Sequence, residues 1–439
     1  MLGVLLSLAG LVAGCKVVDR SALRSKERAS PAEALNPFAE SYVRLVLALG
    51  EHDGDTVDAY YGPATWREEA KSEKKPLGTI RREAFREIAA LNKLNLSRDE
   101  AMVRLRRDYL IHQLKALATR AEMLEGRKLS FDEESKALYD VVAPTYDEAH
   151  FQEVLSKLEK SLPGRGQLIQ RYEAFKKEFI IPKERLDAVF SAAIQEARRR
   201  TKQHIVLPEA EDFTVEYVTG KSWSAYNWYK GKGRSVIQVN TDLPVYVDRA
   251  VDLAAHEGYP GHHVYNALLE QHLLKERGWV EFSVYALFSP QSLIAEGSAN
   301  FGIEMAFPGE ERVEFERDVL FPLAGLDPHR AGAYHDVLEL VEQLDYAGNE
   351  AGRRYLDGKI NAVQAADWLS RLAMMPSDRA RQRVKFLDQY RSYVINYNAG
   401  KDLVRRYIES RGGTPDLPER RWEEFEKLLS SPRLPSNLQ

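Results

Sequence analysis

The sequence predicts a mainly α fold with a small antiparallel β-sheet lying next to a histidine-bearing helix. Three observations carry this prediction. Apolar residues recur at helical spacing through most of the chain, and a stretch at 213–240 changes to alternating, β-branched and aromatic residues. Directly after it comes His256-Glu257-Gly258-Tyr259-Pro260-Gly261-His262-His263, which holds three of the ten histidines.

Taken in order, the first element is an apolar run at residues 2–14, LGVLLSLAGLVAG, too short to span a bilayer. Val12-Ala13-Gly14-Cys15 resembles a bacterial lipobox, which implies lipidation of Cys15 and membrane attachment through an N-terminal lipid. By resemblance to envelope sorting signals, Lys16 favours the outer membrane, facing the periplasm. No Lys or Arg precedes the apolar run, where a basic segment is expected. Residues 16–36 lack an apolar period and read as a flexible tether.

Asn36-Pro37 then caps a helix in which Phe38, Tyr42, Leu45 and Leu49 share a face and Gly50 is the stop. Ser97 with Glu100, and Ser130 with Glu133, have the spacing of capping boxes; the first opens a long helix to about Glu125. A further helix is expected from Pro182 to Gln203. In 213–240, Phe213–Val218 and Ser235–Val239 read as strands joined by an irregular, aromatic hairpin. Helices resume after Pro244, with segments at Asn361–Met374 and Leu403–Ser410. The expected organisation is a signal peptide at 1–15, the tether, a helical part at 37–205, a metal-site part of the same catalytic unit at 206–430, and a loose tail at 431–439.

At 439 residues and 44% hydrophobic content the chain can bury a sizeable core. Its net charge of −4, without a basic stripe, argues against nucleic acid as a partner. Cys15 is the single cysteine, so no intramolecular disulfide braces the fold.

A hydrolytic zinc site needs three protein ligands, an open position for water and a nearby carboxylate. In HExxH the two histidines are four apart and share a helix face. Here the position four after His256 is Pro260. On a straight helix His263 would lie about 20° off the His256 face but roughly 10.5 Å along the axis, and His262 roughly 9 Å along and about 120° off. Pro260 breaks the helical ladder and Gly258 and Gly261 permit unusual dihedrals, so Tyr259-Pro260 can loop out. Gly261-His262 then falls where the second histidine of a regular helix would sit. His262 is the preferred second ligand and His263 follows closely. Glu296, in the apolar setting Leu293-Ile294-Ala295, is suited to be the third ligand from a second helix, with Glu304 orienting it from the same helix.

HExxPGHH followed by a helix containing Glu296-Gly297 resembles the bacterial domain-of-unknown-function 885 family. Ser392-Tyr393-Val394-Ile395-Asn396-Tyr397-Asn398-Ala399-Gly400 is similar to that family's C-terminal segment. Its members are often lipoproteins, and it looks like a distant relative of glutamate-ligand zinc peptidases. The resemblance implies a large helical zincin-like fold and a single Zn2+ held by His256, one of His262 or His263, and Glu296. It also implies Glu257 as general base and Tyr397 as oxyanion donor. Ser298 stands where the family commonly has tryptophan, and 341–350 lacks a histidine that many members carry.

The implied activity is hydrolysis of peptide bonds, with a carboxypeptidase or dipeptidase among the options and a peptide as partner. Two other readings remain: a non-catalytic envelope lipoprotein that keeps the metal fold as a binding surface, and an amidase or esterase acting on a non-peptide envelope component. Cations of the hairpin, Lys221, Lys230, Lys232 and Arg234, could meet a terminal carboxylate, although solvated loop charges explain them better. His52, Asp53, Asp55 and Asp58 form an acidic loop that turn chemistry can explain without a ligand.

Overall fold

A computed structural model describes residues 30–96, 100–221 and 223–439. The mainly α architecture is as expected. Its largest apolar core is shared by residues from both parts of the chain, including Phe131 and Val189 on one side and Leu253, Phe301 and Phe425 on the other. Among the described residues no helix is long and apolar enough to cross a membrane. The lipobox, Cys15 and most of the tether lie outside the described residues.

Local signals set many helix ends. Helix Asn36–Gly50 buries Tyr42, Leu45 and Leu49 and stops where a Cβ on Gly50 would sit 2.7 Å from the Val57 side chain. Ser130 and Glu133 form the reciprocal cap of helix Phe131–Tyr139. The long helix runs Ala101–Leu124 with Glu100 before its first turn, and Ser97 lies outside the described residues.

Both ends of the described chain are docked, unlike the loose segments expected from composition. Leu35 is fully buried, and Arg106 Nη1 donates to Ala32 O at 2.7 Å and to Asn36 Oδ1 at 2.9 Å. At the other end Leu434 and Leu438 enter the main core, and the Ser436 amide donates to Asp140 Oδ2 at 3.1 Å. Two leucines four apart bury enough apolar surface to hold a short proline-containing tail.

Three strands, β2 (Asp212–Val218), β3 (Ala225–Gly231) and β4 (Arg234–Asn240), form a sheet of order β2-β4-β3. β3 and β4 are an antiparallel hairpin turning at Lys232-Gly233, both at positive φ, as a tight primed turn requires. β2 pairs in parallel with β4, so this sheet is mixed where an antiparallel one was expected. The crossing at 219–224 leaves β4 in the middle. A second pair, β1 (Val57–Tyr60) with β5 (Val284–Ala286), is antiparallel and ties the N-terminal helices to the chain just before the Glu296 helix.

Candidate metal centre

The chain approaches the site through helix Asp248–Leu253, which widens into a π-helical turn at Ala254–Gly258. The Tyr259 amide donates to Ala254 O at 3.0 Å and the Gly261 amide to Ala255 O at 2.9 Å, closing wider rings than an α-helix does. Helix His262–Leu269 follows. Gly261 is required here, because a Cβ on it would lie 1.9 Å from His256 O. This looped-out turn brings His256 Nε2 and His262 Nε2 to 3.2 Å.

The third group arrives on helix Pro290–Ala306, which crosses helix Ile395–Ser410 in near backbone contact. A Cβ on Gly297 would sit 2.4 Å from the Gly400 carbonyl carbon, and one on Gly400 2.8 Å from Leu293 O. The two glycines let the helices approach and so set the depth of their neighbours Glu296 and Tyr397. Glu296 Oε2 then lies 3.3 Å from His256 Nε2 and 3.6 Å from His262 Nε2. Its other oxygen accepts from Tyr393 Oη–H at 2.8 Å. Oε2 is buried and has no hydrogen bond of ordinary geometry, which is costly for a carboxylate oxygen unless a cation meets it.

Glu257 joins the same point: its carboxylate and the two imidazoles offer ligand atoms that all lie within 4.8 Å of one another. Both acids can therefore reach the histidine pair. Glu296 has the more ligand-like setting, close to both rings and held by a tyrosine, whereas the buried Glu257 carboxylate takes no side-chain hydrogen bond from the described residues. Asn300 sets the His256 tautomer. Its Nδ2 donates to Tyr397 O at 3.0 Å, so its Oδ1 faces His256 Nδ1 at 3.0 Å and accepts that N–H, leaving the Nε2 lone pair to point into the site.

The electrostatics match a cation site. Burial alone would lower the His262 pKa, but the Glu296, Glu257 and Asp58 charges raise it to about 9. Burial would raise Glu296, yet the His262 charge and the close approach of the His256 and His262 rings hold it well below the usual carboxylate range. Without an ion, a proton on His262 supplies the positive charge. A divalent ion could replace it: two imidazole nitrogens and a carboxylate oxygen are a donor set suited to zinc.

Of the residues singled out from sequence, His256, Glu257, His262 and Glu296 come together. His263 does not. One residue further round the helix, it is fully buried beneath the sheet, with Nδ1 2.8 Å from Ser235 Oγ and Nε2 3.1 Å from Glu211 Oε2. Nor does Glu304 orient Glu296. Two turns away along the helix, it pairs with Arg405 and, at 2.9 Å, with Lys401, pinning the two crossing helices together. Tyr393 and Asn300 make the supporting contacts instead. Tyr397 lies beside Tyr393, ring centroids 5.9 Å apart. Burial, with Glu296 adding to it, pushes its phenol well above the ordinary value, so it stays an O–H donor.

Sequence reasoning undervalued three residues. Asp58, on β1, accepts from Tyr226 Oη, and burial pushes its carboxyl up to about 7, with His262 opposing and Glu296 and Glu257 adding. Asp53 of the same loop is a turn acid bound to Arg120 and Thr56, as turn chemistry explains it. Tyr393 had a signal, since it stands four residues before Tyr397 in the quoted motif. Glu211 had none. It accepts from Tyr259 Oη at 2.6 Å and from Arg198 Nη2 at 2.5 Å, beneath the metal turn. In the hairpin, Arg234 is paired with Asp212 at 3.0 Å, and Lys230 sits 5.3 Å over the Trp228 ring.

No protein-family model and no curated protein matches this sequence. Solved structures do. A candidate lipoprotein from Colwellia psychrerythraea shares the fold at TM-score 0.53 and 14% identity, over 82% of this chain and 65% of that one. This chain thus spans just under two thirds of that protein's length. A candidate lipoprotein of unknown function from Shewanella oneidensis aligns at TM-score 0.47 and 12% identity, over 91% of this chain and 81% of that one. An M32 carboxypeptidase from Deinococcus radiodurans R1 aligns at TM-score 0.36 and 12% identity, over 90% and 89%.

Proposed function

We propose that the protein is a zinc-dependent hydrolase of peptide bonds, attached to the bacterial cell envelope through a lipid on Cys15 and facing the periplasm from the outer membrane. One observation carries the catalytic part: His256 Nε2, His262 Nε2 and the unpartnered Glu296 Oε2 converge within 3.2–3.6 Å, with the Glu257 carboxylate beside them. The resemblance of HEGYPGHH to the domain-of-unknown-function 885 pattern supports the ligand set and the peptidase class. A likeness in fold does not by itself establish an activity.

His256, His262 and Glu296 would hold the ion. When bound it supplies Lewis acidity toward a carbonyl and makes water more acidic. Glu257 takes the proton of the attacking water and returns it to the leaving amine. Tyr397 donates its O–H to the oxygen that gains charge as the carbonyl is attacked. Asn300 and Tyr393 keep His256 and Glu296 aimed at the site. β3 has an edge without a ladder partner among the described residues, and its Asn227 Nδ2 donates to Glu257 O at 2.7 Å, so an extended peptide paired there would lie close to the general base.

The deciding experiment is metal content of the purified protein alongside His256→Ala and Glu296→Ala. One zinc per chain, lost in both variants, is expected. A wild type that takes up no zinc on controlled loading would sink the reading and favour a binding lipoprotein.

A further inference from the structure

Helix Ser377–Tyr390 forms a wall beside Tyr397, and its charges do not balance. It is bridged to the Asp55 loop by Gln389 Nε2 at 2.9 Å and to the loop after β2 by Gln382 Nε2, which reaches Lys221 O at 3.4 Å. Between these two anchors lies Arg383, with Arg379 one turn earlier on the same face. Both are partly buried, yet among the described residues neither has a carboxylate oxygen within ion-pair distance. The Arg383 guanidinium instead rests 5.0 Å from the Phe386 ring centroid and 5.8 Å from that of Tyr397.

Burial first, and then the charges of Arg249 and Arg383, lower the Arg379 pKa, with Tyr246 and Asp248 opposing, and Arg249 is itself paired with Asp252. Two of the nearby acids are committed. Asp252 is divided between Arg249 and Arg312, each at 2.8 Å, and Asp248 accepts from Tyr334 Oη at 2.5 Å. Asp345 feels the Arg383 charge without forming an ion pair. Like charges gathered in a partly desolvated place repel unless an anion joins them. Guanidinium is the group best shaped for a carboxylate, which it can grip through two parallel hydrogen bonds.

We propose that Arg383, assisted by Arg379, receives the free terminal carboxylate of a peptide whose scissile carbonyl lies at the metal centre, so that the protein removes residues from peptide C-termini. This rests on the peptidase reading above. Arg383 is suited because the ring it covers belongs to the proposed oxyanion donor, Tyr397. A substrate spanning both would place its last peptide bond beside Glu257.

The test uses the full chain loaded with zinc and two sets of peptides. The first compares each peptide as free acid and as C-terminal amide; the second replaces an internal Asp or Glu by Ala, to separate a terminal from a side-chain carboxylate. Free acids are expected to be cleaved at least about tenfold better in kcat/KM than amides. Arg383→Gln should erase that preference by raising KM far more than it lowers kcat, with zinc content unchanged. Arg383→Lys should restore part of it, which a purely packing role would not predict. Equal cleavage of acids and amides would overturn this subsite and leave the peptidase reading intact, as would dependence on the internal acid alone. Zinc-loaded wild type that cleaves neither form would overturn the peptidase reading and this assignment with it.

Discussion

The two sides of the HEGYPGHH segment use the same residue types to opposite ends. On the sheet side, His263, Tyr259 and Arg198 surround Glu211, and both carboxylate oxygens and both imidazole nitrogens have partners. On the cleft side, His256, His262 and Glu296 turn acceptor atoms toward one another, and Glu296 Oε2 is left without a hydrogen bond. A buried network in which every donor meets an acceptor is a fastener. Acceptors facing acceptors, with too few protons to go round, make a place for a cation. Histidine content alone does not tell these apart; the partner of each nitrogen does.

If that contrast holds, variants on the two sides must fail differently. The largest effect is expected on the cleft side. His256→Ala and Glu296→Ala should abolish zinc retention, whereas Glu257→Gln should keep zinc and fold and lose at least about a hundredfold in turnover, as removal of a general base does. Metal analysis and initial rates on the same preparations check this, and loss of zinc from the Glu257→Gln protein would sink its assigned role.

On the sheet side Glu211→Gln should cost roughly 3 kcal/mol in denaturant unfolding, because it breaks a buried pair, while the folded fraction still binds one zinc. Burial opposes ionisation of Glu211, but the hydrogen bonds from His263, Tyr259 and Arg198 bring its pKa down to about 2. A carboxyl lowered on folding stabilises above its unfolded value and loses that contribution as the pH falls through the folded one. Wild-type stability should therefore drop between about 4.5 and 2 by more than that of Glu211→Gln. Parallel acid profiles would remove Glu211 from the fastener.

A smaller effect is expected for Asn300→Ala, which frees the His256 ring without removing a ligand. Zinc affinity should weaken about 10- to 100-fold, as measured by competition with a chelator. The smallest signal is calorimetric. In metal-free protein the raised His262 pKa stabilises the fold fully below its ordinary value of 6.5 and ceases to do so as the pH rises through about 9. Zinc must displace that proton, so loading at pH 7.5 should release close to one proton per chain, seen as a buffer-dependent heat. A His262→Gln protein should show no such release.

Much of the helical frame was legible because its causes are local. The Asn36–Gly50 helix and the Ser130–Glu133 cap depend on residues within one or two turns of each other. The site was legible in part for the same reason. Pro260 between two glycines announced that the turn would loop out, which favoured His262, and Glu296 stood in surroundings too apolar for an unpaired charge. Where the reading failed, the deciding partner was remote. Glu304 shares a helix with Glu296, but Lys401 and Arg405, about a hundred residues away in sequence, determine what it does. The parallel pairing of β2 and the docking of the tail likewise depend on surfaces that exist only once the chain has folded.

By itself, then, the sequence determined which chemistry was available: three histidines and a glutamate in one turn, an acid on a second helix, a tyrosine on a third. Tertiary structure decided which of them meet. His262 and His263 are adjacent and chemically identical, yet a step of about 100° round the helix aims one ring at Glu296 and the other at Glu211. Close approach of Gly297 to Gly400 sets the depth of Glu296, and the β1 strand brings Asp58 from the far end of the chain. Short-range forces choose helices and turns; only packing between distant segments can bring three ligand atoms to one point.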